Sequence, residues 1–170
     1  HAFPSGSGYD EVWVRFYTKP LAGYTFGAEE MWTFNDGNPG DAGIRWGNLA
    51  WNCASASQSV GNITMGFPSP HGINGEGECA GQNLGNGIQI QSGNWYFYEV
   101  HMKLSTPGHA NGVFELWVDN CGAAGASCPA TPTRRMRRTD IRHGRTSASQ
   151  LIKVLWFESW SGAASAGERY

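Results

Sequence analysis

The sequence predicts an all-β protein, an antiparallel β-sandwich. Glycine and tryptophan are abundant, with 24 and 8 residues in a chain of 170, whereas charged residues make up only 15%. This composition disfavours helices and is typical of many short strands joined by tight turns. The length suits one domain, which we predict to cover residues 1–170. A net charge of -2 gives no overall field for recruiting nucleic acid, and no apolar run is long enough to insert into a membrane.

Three segments alternate apolar and polar residues with a period of two, as strands with one buried face do. They are 11–19 (EVWVRFYTK), 95–104 (WYFYEVHMKL) and 113–119 (VFELWVD). The last two flank the turn signal PGHANG, so we expect them to pair as an antiparallel hairpin. The predicted core positions are Val12, Val14, Phe16, Tyr98, Val100, Met102, Leu104, Phe114, Leu116 and Val118.

The remaining segments are less regular. We expect strands within 24–34 and 44–51, a further one from Ile88, and long loops with at most short strands over 53–87. Segment 151–160 (LIKVLWFESW) is apolar on both faces, which favours either a central strand or a strand that exposes aromatic rings. No segment predicts a helix.

The four cysteines lack the spacing of a zinc site, so we predict no metal bound by them. We expect the disulfides Cys53–Cys79 and Cys121–Cys128, because each pair brackets a glycine-rich, loop-like segment. Four free buried thiols are the alternative. Disulfides would imply an oxidising compartment, and hence a secreted, extracellular protein.

The hairpin GNWYFYEVHMKLSTPGHANGVFELWVDN resembles the concanavalin A-like lectin/glucanase superfamily, and most closely its jelly-roll polysaccharide lyases and their secreted relatives. Segment LIKVLWFESWSGAASAGERY is similar to the penultimate strand and loop of such domains. The resemblance implies a jelly roll whose edge strands are trimmed, or supplied by a neighbouring subunit. One sandwich hosts lectins, hydrolases, lyases and structural modules, so the resemblance does not decide the activity.

Alternation places a mixed set of side chains on the outer face of the predicted sheet. These candidate ligand-binding residues are Trp13, Arg15, Tyr17, Glu99, His101, Lys103, Glu115 and Trp117. Flat rings stack on sugars, and charged neighbours bind hydroxyl groups or uronate carboxylates. The same residues would also make a solvated sheet face stabilised by cross-strand charge pairs.

A polysaccharide lyase needs a base, an acid and a cation that neutralises the uronate. If the protein is a lyase, His101 or Tyr17 is the candidate base or acid, and Arg15 or Lys103 is the candidate cation. A hydrolase is disfavoured, because no strand carries the alternating carboxylates of the glucanase signature.

Six of the nine arginines fall within residues 133–145. We expect Arg134, Arg135, Arg137 and Arg138 to form a patch that binds anionic polymer. The patch lacks interleaved aromatic residues, which argues against nucleic acid. An edge strand protected from aggregation by its charge explains it equally well.

Cofactors are not expected, although Asp36, Asn38 and Asp41 in the turn NDGNPGD could hold calcium through their side-chain oxygens. The sequence thus predicts an extracellular domain that binds polysaccharide. The alternatives are a lyase that cleaves a uronic-acid polymer by β-elimination and a non-catalytic structural or decorating module of an extracellular or viral assembly.

Overall fold

A computed structural model describes residues 8–26, 29–36, 45–51, 60–66, 88–143 and 145–161. Nine strands lie in these ranges: β1 Glu11–Thr18, β2 Glu29–Asn35, β3 Arg45–Trp51, β4 Val60–Gly66, β5 Gln89–Gln91, β6 Trp95–Lys103, β7 Gly112–Gly122, β8 Arg134–Ile141 and β9 Val154–Ser161. The described ranges contain no helix. Within them, accordingly, no helix has the length and apolar character that crossing a membrane requires.

The strands form two antiparallel sheets. One has four strands in the order β1-β6-β7-β8, and the other has five in the order β5-β4-β3-β2-β9. Pairing of β1 with β6 and of β2 with β9 joins segments that are far apart in the chain. A short bridge between Tyr9 and Ile152 also joins the segments that precede β1 and β9.

The apolar faces of the two sheets meet in one core. The four-stranded sheet contributes Val12, Tyr98, Val100, Met102, Phe114, Leu116, Val118 and Met136, and the five-stranded sheet contributes Phe34, Trp46, Ile90 and Leu155. All the core positions predicted on β6 and β7 are buried, because alternation sends every second side chain between the sheets. Val14 and Phe16 of β1 pack against the core and are partly buried.

The predicted hairpin is confirmed, and the first predicted strand pairs with it. β6 pairs with β7, and β1 pairs with β6 from Glu11 opposite Lys103 to Thr18 opposite Tyr96. The first strand, the hairpin and the face that they share therefore belong to one sheet. Among the described strands, the arginine-rich β8 lies at one edge of this sheet, as the second interpretation of that segment proposed.

Two details differ from the expectations. β9 pairs with β2 at the end of the described five-stranded sheet, which does not match the first of the two alternatives for this segment, a central strand. The position of a strand in a sheet depends on pairing between distant segments, which its own apolar pattern does not encode. β7 also continues to Gly122, three residues beyond the end of the predicted strand 113–119.

The disulfide Cys121–Cys128 is present and closes the segment between β7 and β8. Cys53 and Cys79 lie outside the described residues, so their pairing stays a prediction. The same holds for the calcium hypothesis, since Asn38 and Asp41 are also outside. No group of three or more potential metal-ligating side chains occurs within the described ranges.

Candidate functional site

The outer face of the four-stranded sheet brings the predicted ligand-binding residues together. We call it the wet face, and it consists of Trp13, Arg15, Tyr17, Phe97, Glu99, His101, Lys103, Glu115 and Trp117. The sheet register makes several of these residues direct cross-strand neighbours: Trp13 lies opposite His101, and Arg15 lies opposite Glu99. On the other side of β6, His101 lies opposite Glu115, and Glu99 lies opposite Trp117.

His101 occupies the middle of the wet face and is only 7% exposed. Its Nδ1 lies 2.8 Å from Glu115 Oε2, and its Nε2 lies 2.7 Å from Glu11 Oε1. The indole of Trp13 covers the imidazole, with ring centroids 3.9 Å apart and an interplanar angle of 6°. A single side chain thus links three strands.

These contacts bear on the role of His101 as a base. A carboxylate only accepts hydrogen bonds, so both contacts are satisfied when both ring nitrogens carry hydrogen. In this arrangement the imidazole presents no lone pair to a substrate. His101 would have to lose one carboxylate contact before it could accept a proton.

Glu115 is the anionic centre of the face. Besides His101, it binds Arg134 Nη1 at 3.0 Å and Arg137 Nε at 3.2 Å. Burial raises the pKa of this carboxyl. Hydrogen bonds from His101 and Arg134 and the nearby charge of Arg137 lower the pKa by more than burial raises it, so the pKa lies below its usual value.

The four arginines of the predicted patch divide into two pairs. Arg134 and Arg137 join the wet face through Glu115. Arg135 instead binds Asp119 Oδ1 at 3.2 Å, and Arg138 binds Asp140 Oδ1 at 2.8 Å. The sequence analysis predicted the arginine patch and the wet face as separate features. In the structure they are linked by Arg134 and Arg137.

A second ion pair lies further along β1. Arg15 donates from Nε to Glu99 Oε2 at 2.7 Å, and its guanidinium lies 5.5 Å from the ring centroid of Phe97. Tyr17 meets the edge of the same ring, with centroids 5.4 Å apart. Phe97 is therefore buried although it points away from the core.

The rings of Trp13 and Tyr17 are open to solvent, with exposures of 57% and 55%. Trp117 is half-buried and tilts against Trp13 at a centroid distance of 5.6 Å. Trp13 therefore offers a more open stacking surface than Trp117, although both lie where alternation predicts.

Glu11 also takes part in the contacts of the wet face, although the sequence analysis did not include it among the candidate ligand-binding residues. It binds His101 and also Lys103 Nζ at 3.5 Å. Its position two residues before Trp13 on β1 was a sufficient signal, because alternation places both side chains on one face. The hydrogen bond from His101 is the main reason why the pKa of Glu11 lies below its usual value.

Comparison with solved structures shows the fold. The PL-14 alginate lyase from Aplysia kurodai matches with a TM-score of 0.57 and 14% identity, over 94% of this chain and 63% of that lyase. A variant of alginate lyase Aly36B in complex with alginate tetrasaccharide matches with a TM-score of 0.56 and 18% identity, over 94% of this chain and 62% of that one. The structure of Aly36B itself matches with a TM-score of 0.54 and 17% identity, over 94% of this chain and 63% of that lyase.

The chain therefore shares the jelly-roll β-sandwich fold of these solved alginate lyases, as the resemblance predicted. It spans less than two thirds of the length of these lyases. No protein-family model matches the sequence. No curated protein is similar to it in sequence.

Proposed function

We propose that the wet face binds an acidic polysaccharide. The observation that carries this proposal is that the arginine side chains of the wet face are more exposed to solvent than the carboxylates that bind them. The side chains of Arg15, Arg137 and Arg134 are 64%, 57% and 48% exposed, whereas those of their partners Glu99 and Glu115 are only 17% and 11% exposed. Lys103 and its partner Glu11 are exposed to similar extents, 51% and 43%. A polymer that approaches the sheet meets cations first, while the carboxylates beneath hold those cations in place.

The open rings supply the second requirement for sugar binding. Trp13 is held flat over His101, so its outer surface is fixed before a ligand arrives. A preorganised ring loses little conformational freedom on stacking. Uronate carboxylates and a sugar ring could then be bound together by Arg15 and Trp13, which lie two residues apart on one face of β1.

Solved alginate lyases of the same fold support an acidic polymer as the ligand class, and one of them is in complex with an alginate tetrasaccharide. A neighbouring subunit receives no such support from the comparisons. We also infer an extracellular location, which rests on the Cys121–Cys128 disulfide.

The division of the arginines allows a matched test on alginate, a polyuronate. The double variant Arg134→Ser/Arg137→Ser should bind immobilised alginate about tenfold more weakly, because it removes two cations from the wet face. Its affinity should also depend less on salt. The control Arg135→Ser/Arg138→Ser removes equal charge and two ion pairs, but from outside the site, and should retain most of the affinity.

Equal losses in the two double variants would mean that net charge alone attracts the polymer. Undiminished binding in the first variant would contradict the proposed site. Thermal unfolding of each variant shows whether a loss of affinity reflects a loss of structure.

A second candidate is β-elimination on the bound uronate polymer. It is favoured by the exposed phenol of Tyr17 two residues from Arg15 on the same face, in a fold shared with alginate lyases. In this scheme Arg15 pairs with the uronate carboxylate while the Tyr17 oxygen takes the C5 proton and delivers it to the glycosidic oxygen that leaves C4, as the C4–C5 double bond forms. Turnover creates a conjugated double bond, so ultraviolet absorbance should rise on alginate with the native protein and not with Tyr17→Phe. A flat absorbance with measurable binding would leave binding as the function.

A further inference from the structure

The wet face extends beyond the predicted set, to the first residue of β6. Trp95 has the same parity as Phe97 and Glu99 and is exposed. Lys19, just after β1, places its Nζ 5.7 Å from the centroid of the Trp95 ring. An exposed ring with a cation beside it repeats the chemistry of Trp13 and Arg15.

A structured loop holds this pair in place. Lys19 Nζ donates to the carbonyl of Ala123 at 2.9 Å. Gly125 lies against the indole, since a Cβ atom there would be 3.1 Å from Trp95 Cδ1. Its φ of +75° also favours glycine. Ala123 and Gly125 belong to the segment that the Cys121–Cys128 disulfide closes, so the disulfide constrains the surface against which Trp95 packs.

The pair continues a regular series along β1. Trp13, Arg15, Tyr17 and Lys19 alternate ring and cation at every second residue, which corresponds to about 6.6 Å in an extended chain. Tyr17 lies opposite Phe97, two residues from Trp95 on β6. From Trp13 to the Trp95–Lys19 pair, the series covers six residue steps, or about 20 Å.

We propose that Trp95 and Lys19 form a separate subsite for an acidic polysaccharide, so that the polymer lies parallel to β1 and its affinity depends on its length. This inference rests on the proposed function of the wet face. The Trp95 ring would stack on one sugar, and Lys19 would pair with a uronate carboxylate beside it. The disulfide-closed loop positions both residues.

The test compares a disaccharide and an octasaccharide prepared from alginate, with dissociation constants from calorimetry, or KM values if absorbance reveals turnover. Trp95→Ala should weaken octasaccharide binding about fivefold and leave disaccharide binding unchanged, because the short ligand prefers the Trp13 end. Trp95→Phe, which keeps a ring, should restore most of the loss. Trp13→Ala should weaken binding of both ligands.

Gly125→Ala tests the positioning by the loop without removing the ring. Its Cβ would crowd the indole and its positive φ would strain the loop beneath it, so it should weaken octasaccharide binding only. Full octasaccharide affinity in Trp95→Ala, together with a loss in Trp13→Ala, would overturn the second subsite alone. Full affinity in Trp13→Ala, or no binding by the native protein, would instead overturn the proposed function. Circular dichroism and thermal unfolding confirm that each variant is folded.

Discussion

His101 is held by two carboxylates and covered by an indole, and these contacts give it a structural role whatever its chemistry. Sequence alternation predicted its face correctly but not its burial. Burial results from Trp13 lying across the ring, which requires β1 to pair with β6 in one particular register.

Replacing His101 with alanine should therefore lower stability as well as binding. The change removes two hydrogen bonds to charged groups and the support beneath Trp13, so we expect a loss of about 2 kcal/mol in the free energy of unfolding. Urea denaturation measures this loss. The matched variant Lys103→Ala removes an exposed partner of Glu11 and should cost less than about 0.5 kcal/mol. An unchanged stability in His101→Ala would contradict the assigned contacts.

At the level of strands and loops, the segment after β7 depends on its disulfide. The bridge joins residues seven positions apart and closes the loop that contacts Trp95 and Lys19. Such a crosslink stabilises mainly by restricting the unfolded chain.

The double variant Cys121→Ser/Cys128→Ser should unfold with about 2 kcal/mol less free energy than the native protein. Urea denaturation of both proteins, without reductant, checks this value. The fluorescence of Trp95 should also change, because its loop support loosens; subtracting spectra of Trp95→Phe in each background isolates that signal. A stability equal to the native value would mean that the bridge adds nothing to the constraint of the folded loop.

For the whole molecule, carboxylates paired with histidine or arginine make the free energy of unfolding depend on pH. Glu11, Glu115 and Asp140 all have pKa values below their usual range, with His101 and Arg138 as the principal favourable partners. A carboxyl whose pKa is lower in the folded state stabilises the fold at pH values above its unfolded pKa. The contribution is lost as the pH falls through the lower, folded value.

We therefore expect the free energy of unfolding to decline as the pH falls below about 4.5. Urea denaturation at closely spaced pH values between neutrality and pH 3 measures this decline. Glu115→Gln should be less stable than the native protein near neutral pH and should decline less steeply in acid. An identical slope in that variant would show that Glu115 does not contribute to the linkage.

Much of the architecture followed from local patterns. Period-two alternation identified β1, β6 and β7, the core side of each, and the outward set that includes Trp13 and His101. The turn PGHANG predicted the pairing of β6 with β7. Irregular segments were less informative, because glycine-rich stretches have little periodicity, and β4 was found within a region that we expected to be mostly loop.

Local alternation was enough to identify the strands that have a buried side and the residue types on their outer faces, because alternation is a local property of an extended chain. Three features emerged only from the folded structure: β9 lies at the end of the described five-stranded sheet, Arg134 and Arg137 bind Glu115 whereas Arg135 and Arg138 bind other carboxylates, and His101 is enclosed by Glu11, Glu115 and Trp13. Each of these outcomes depends on which strands pair and in which register. The register of such pairs is set by packing of the whole sandwich, which no single segment encodes.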